Sequence, residues 1–141
     1  MYQSVTVVGR LGRDPEMRYM PSGEPVTSFS LATDRVWSDK NGQRQKETTW
    51  FRVSVFGKSA ETANQYLSKG KMVLVEGRLR VDPKTGGPAV FTRQDGTVGA
   101  SFEIIANTVR FLSPRDEAES GHPEGDSGMD GGDQPAEDIP F

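Results

Sequence analysis

The sequence predicts a small all-β barrel followed by an acidic tail with no fold of its own. Three observations predict it: five short stretches of alternating apolar and polar residues, a single stretch with helical spacing, and a break in charge near Ser113. Residues 1–112 hold 16 Lys and Arg against 11 Asp and Glu, a net +5. Residues 113–141 hold 1 against 9, a net −8, and the two sum to the chain's −3. The basic part reads as one domain with a thin core, which association of several copies would supplement. The tail, dominated by Gly, Pro, Ser and acids, buries too little apolar surface to offset its ordering and is expected to be disordered.

The first strand is residues 4–10, a β-branched run around Val5-Thr6-Val7-Val8 closed by Gly9 and Gly12. Residues 14–25 carry the turn signals Asp14-Pro15 and Pro21-Ser22-Gly23 and read as a loop. Residues 26–36 alternate around Phe29 and Leu31 as the second strand, and Asp39-Lys40-Asn41-Gly42 suits a turn between antiparallel strands. The third strand, residues 48–56, puts Phe51, Val53 and Val55 on one face and Trp50, Arg52, Ser54 and Phe56 on the other. Residues 59–69 form the one helix, with Ser59 as its N-cap, Ala60, Ala63, Tyr66 and Leu67 at helical spacing, and Gly70 just past its end.

The fourth strand, residues 72–81, sets Val73, Val75, Leu79 and Val81 against Leu74, Glu76, Arg78 and Arg80. Residues 82–99, with Gly86-Gly87-Pro88 and Asp95-Gly96, read as a long hairpin arm, and residues 100–112 as the last strand, irregular at Ala106-Asn107. Three strands, one helix, then two strands is the order of the OB-fold, a five-stranded Greek-key barrel. A parallel α/β fold would need a helix between nearly every pair of strands.

Composition excludes several chemistries. There is no cysteine, so neither a disulfide framework nor a thiolate metal site is available, and a reducing compartment fits. The only histidine, His122, lies in the tail, and no nucleophile–base set can be assembled, so no catalytic, metal or cofactor residues are expected and the chain is read as no enzyme. Gly57-Lys58-Ser59 resembles the end of a phosphate-binding loop, but the glycine required five positions earlier is Arg52. No leader is visible at the N-terminus and no apolar run approaches the roughly 20 residues of a membrane span, so the expected location is cytoplasmic.

Binding is the better reading. Val53, Val55 and Phe51 already claim the core face of the third strand, which leaves Trp50 and Phe56 outward beside Arg52. Trp37 sits between Arg35 and Lys40, and Phe91 stands near Arg93. Exposed rings beside cations stack bases of single strands with little regard to sequence, at roughly 1–3 kcal/mol per base. The net +5 adds salt-sensitive attraction to phosphates, with Arg10, Lys40, Arg52, Lys58, Lys69, Arg78 and Arg80 as candidate basic contacts. Arg78 and Arg80 could instead join a cross-strand ion-pair ladder. Phe29, Tyr66, Phe102 and Phe111 are assigned to structure. The tail closes on Asp138-Ile139-Pro140-Phe141, two apolar groups and a terminal carboxylate stiffened by proline, which suits a protein pocket rimmed with basic residues.

Several motifs carry a family likeness: Gly9-Arg10-Leu11-Gly12-Arg13-Asp14-Pro15-Glu16, Arg18-Tyr19-Met20-Pro21-Ser22-Gly23, Trp50-Phe51-Arg52-Val53, Val55-Phe56-Gly57-Lys58, Tyr66-Leu67-Ser68-Lys69-Gly70, Val75-Glu76-Gly77-Arg78-Leu79 and the tip Asp138-Ile139-Pro140-Phe141. In this order they resemble the bacterial single-stranded DNA-binding protein family over nearly all of residues 1–112 and the tail tip. The resemblance implies homotetramerisation, a nucleoid-associated protein that coats single-stranded DNA, and a tip that recruits replication, recombination and repair proteins. It places base-stacking rings at Trp37, Trp50 and Phe56. The family's frequent fourth ring falls near Lys84, which is not aromatic, and the nearest ring downstream is Phe91. The rival reading is an OB-fold module for structured RNA or oligosaccharide.

Overall fold

The computed structural model of the chain describes residues 1–114. Its strands are β1 (Val5–Leu11), β2 (Glu16–Tyr19), β3 (Pro25–Ser38), β4 (Arg44–Phe56), β5 (Met72–Leu79), β6 (Val90–Thr92), β7 (Val98–Ala100) and β8 (Phe102–Phe111), with one helix, α1 (Lys58–Tyr66), between β4 and β5. The main sheet runs β1-β5-β8-β4-β3, and β1 pairs again with β3 to close a five-stranded barrel. All its pairings are antiparallel except β4 with β8. This is the OB-fold that the strand–helix order predicts. The acidic tail from residue 115 on and its tip, including Asp138, Ile139, Pro140 and Phe141, lie outside the described residues.

Alternation builds the core. Val7, Leu11, Phe29, Leu31, Val53, Val55, Val73, Val75 and Ile104 point inward and are buried. α1 plugs one end with Ala60, Ala63 and Leu67. The buried Thr27 hydroxyl donates to the Ala60 carbonyl at 2.6 Å, which pins the helix to β3. The irregularity expected at Ala106-Asn107 is a bulge: Gly77 faces Ala106 while Glu76 faces Thr108, which leaves Asn107 as the extra residue. The backbones crowd there, so a Cβ on Gly77 would collide with the Ile105 carbonyl.

Several local expectations need correction. Residues 14–25 contain β2, which pairs with the start of β3 from Glu16↔Ser28 to Tyr19↔Pro25. β3 and β4 are longer than expected and run as one uninterrupted ribbon out to Ser38↔Arg44. The helix is capped by Gly57, not Ser59, with φ 70° and no side-chain cap bond. It ends before Lys69 because Leu67 turns extended and enters the core, and Gly70 serves the following turn with φ 85°. Leu79 and Val81 are exposed, as are Tyr66, Phe102 and Phe111. Phe102 packs on the half-buried Phe51 with ring centroids 5.9 Å apart, and Tyr66 on Phe111 at 6.0 Å. These residues have the inward phase or sit beside the core, but among the described residues no strand or helix covers them.

Candidate nucleic-acid interface

The β3–β4 register lays out the outer face of the barrel row by row. Ala32 pairs with Trp50, Ser30 with Arg52, Ser28 with Ser54 and Val26 with Phe56. On the other edge of β3, Arg10 pairs with Ala32, and β2 brings Arg18 opposite Val26. Small side chains on β3 therefore form a lane. Arg10 and Arg18 border it on one side; Trp50, Arg52 and Phe56 border it on the other. Trp50 is 54% exposed and Phe56 37%, so both rings look outward.

The indole of Trp50 crosses this lane to Gly12. A Cβ on Gly12 would stand 2.5 Å from one carbon of the indole's six-membered ring and 2.7 Å from its neighbour. Gly12 is thus the bed on which the ring lies. Farther along the lane, a cleft of about 20 Å³ is lined by Arg13, Asp14, Glu16, Ser28, Ser30 and Arg52 among others. Its lining thus mixes cations of β4 and of the loop after β1 with two carboxylates.

The other predicted residues are dispersed. Trp37 pairs with Gln45, and strict alternation along β3 puts it on the opposite face of the ribbon from Ala32 and Trp50. Lys40 lies in the turn at the ribbon's tip. Phe91 is on β6, in a separate two-stranded hairpin with β7, and is 45% exposed. Lys58 is exposed at the start of α1. The Lys69 amide donates to Asp14 at 2.8 Å, and Arg10 Nη1 donates to the Gly70 carbonyl at 3.0 Å, which joins this turn to the basic border of the lane. Arg80 pairs with Glu103 at 3.6 Å, so part of the ion-pair alternative holds, with an acid of β8 instead of Glu76. Arg78 stands on β5, a strand adjacent to neither β3 nor β4.

Arg18 and Gly12 belong to this face although neither was selected from the sequence. Proline punctuation on both sides gives residues 16–19 the look of a loop and hides Arg18; the alternation Glu16-Met17-Arg18-Tyr19 is the available signal. Gly12 had no signal beyond being a glycine after a strand. Among the described residues there is no cluster of metal-ligating side chains and no helix long and apolar enough to cross a membrane.

Three surface aspartates stiffen the hairpins. Asp39 accepts from the amides of Gln43 and Asn41 and from Gln45 Nε2, and the Gln43 amide chiefly holds its carboxyl below the usual 3.8. The Thr97 hydroxyl does the same for Asp95, and the Thr48 hydroxyl for Asp34, with Lys46 adding attraction. A lowered folded-state value means that these contacts are intact above 3.8 and are lost as pH falls through the lower value. The Asn41, Gln43 and Thr97 amide resonances should therefore titrate with midpoints below pH 3.8, while core amides stay unchanged; titration of those tip amides near neutrality would contradict this.

Residues 2–112 match the model of the Single-strand binding protein family. A single-stranded DNA-binding protein of Neisseria meningitidis serogroup A is 44% identical over 119 residues, which cover 84% of this chain and 64% of the relative. That of Xanthomonas axonopodis pv. citri is 43% identical over 113 residues, 80% of this chain and 59% of its own. The chain thus matches somewhat less than two thirds of the length of these relatives. The solved Plasmodium falciparum SSB complex with ssDNA superposes with a TM-score of 0.65 at 26% identity, covering 80% of this chain and 97% of that one.

Proposed function

The chain belongs to the single-strand binding protein family, and from that premise we propose that it coats single-stranded DNA without regard to sequence. Residues 1–112 are the binding domain. Bases stack on Trp50 and Phe56, and on Trp37 and Phe91 at the hairpins. Phosphates meet Arg10, Arg52, Lys40, Lys58 and Lys69, to which the lane adds Arg18. Arg80, tied to Glu103, and Arg78, on the far wall, are the weakest members of the proposed set. The observation that carries this reading is the pair of outward rings six residues apart on β4, set across a small-residue lane from Arg10 and Arg18.

The same reading makes the protein a non-enzymatic homotetramer on the nucleoid, in the cytoplasm. Residues 113–141 are its partner arm, and Asp138, Ile139, Pro140 and Phe141 recruit replication, recombination and repair proteins. The test is a titration of intrinsic Trp fluorescence with oligo-dT at two salt concentrations, with an RNA hairpin and a glycan as competitors. Quenching that weakens with salt, with log K falling by about 0.7 per phosphate contact per unit of log salt, supports it. Equal competition by the hairpin or the glycan favours the rival OB-fold reading. A chain lacking its last eight residues should bind oligo-dT at least as well; marked weakening would refute the division between domain and arm.

A further inference from the structure

The β3–β4 ribbon and the β6–β7 hairpin share a feature that stacking alone does not use. The Arg35 guanidinium lies 4.8 Å from the centroid of the Trp37 ring, and that of Arg93 lies 5.4 Å from the Phe91 ring. In each pair the residues are two apart, so the pleat sets both side chains on one side of the chain. Arg93 is also tied down. Its Nη1 donates to the Val98 carbonyl at 3.1 Å and to the Thr97 hydroxyl at 3.4 Å, and that hydroxyl donates to Asp95 at 2.6 Å. Gly99 completes the seat, since a Cβ there would come within 2.5–2.9 Å of three guanidinium atoms. Among the described residues neither arginine has a carboxylate within ion-pair distance.

A ring on an exposed hairpin swings between rotamers, and fixing it costs entropy when a ligand binds. A flat guanidinium against one face removes much of that freedom beforehand; the compact ammonium of lysine has no such plane. We propose that Arg93, and by the same geometry Arg35, is a positioning residue that covers one face of its aromatic neighbour and holds the other face open for a single unpaired base. This rests on the single-strand reading and deepens it: these two arginines act through the ring and not through a phosphate.

Oligo-dT titrations of the full chain, followed by Trp fluorescence at two salt concentrations, test it with Arg93→Lys, Arg93→Ala and Gly99→Leu. Gly99→Leu keeps both partners but fills the space the guanidinium occupies. All three are expected to lose affinity about three- to tenfold, with the salt slope of the unmodified chain. Arg93→Lys at full affinity would overturn the proposal, because a point charge would then suffice. So would a salt slope reduced by about 0.7 in Arg93→Ala, the mark of a lost phosphate contact. An unmodified chain that fails to bind oligo-dT would instead sink the single-strand reading, and this inference with it.

Discussion

Trp50→Ala should lower affinity for oligo-dT by about 5- to 150-fold, the cost of losing one stacked base at roughly 1–3 kcal/mol. The folded barrel should be little affected, because the ring is 54% exposed and lies over a glycine instead of in the core. Gly12→Val should reproduce much of that loss with the indole still present, since the new side chain occupies the ring's bed. Fluorescence titration of the glycine variant and filter binding of both variants measure this, with thermal melts as the control. Unchanged affinity in Trp50→Ala would remove the central ring from the interface. Unchanged affinity in Gly12→Val alone would show that the ring binds equally well from another position.

Leu31→Ala should destabilise the domain by about 2–5 kcal/mol. Leu31 is fully buried, and it pairs with Leu11 of β1 on one edge and with Phe51 of β4 on the other. It therefore sits at the seam where the barrel closes, where neighbours on both sides limit collapse into the cavity. The measurement is denaturant unfolding at fixed protein concentration, because association would otherwise add its own dependence. A loss below about 1 kcal/mol would mean that the seam repacks freely.

Much of the architecture could be read from residue patterns, for identifiable reasons. Between Phe51 and Phe56 the core face is claimed so fully by valines that the outward phase of Trp50 and Phe56 follows from alternation alone. The bulge at Asn107 could be anticipated because the apolar phase slips there. β2 is not legible, since the five residues between Pro15 and Pro21 have the length and punctuation of a loop. Nor was the exposure of Phe102, Phe111 and Leu79: periodicity tells which way a side chain faces, not whether another element covers it. The separation of Trp37 from Trp50 depends on the pairing of two strands, and no single-strand pattern contains it. Arg18 was lost with its strand, and Gly12 mattered only once a ring from another strand was seen to rest on it.

Trp37 and Trp50 stand on opposite sides of one continuous ribbon. Any polymer that touches both must pass from one side of the ribbon to the other over five residue pairs, about 17 Å along the strands. A double helix, whose persistence length is about 150 base pairs, resists such curvature, and its bases are already stacked within it. A lone strand follows the contour at small cost. If both rings take bases, the shape of the hairpin should disfavour duplex, and oligonucleotides too short to round the rim should engage only one indole.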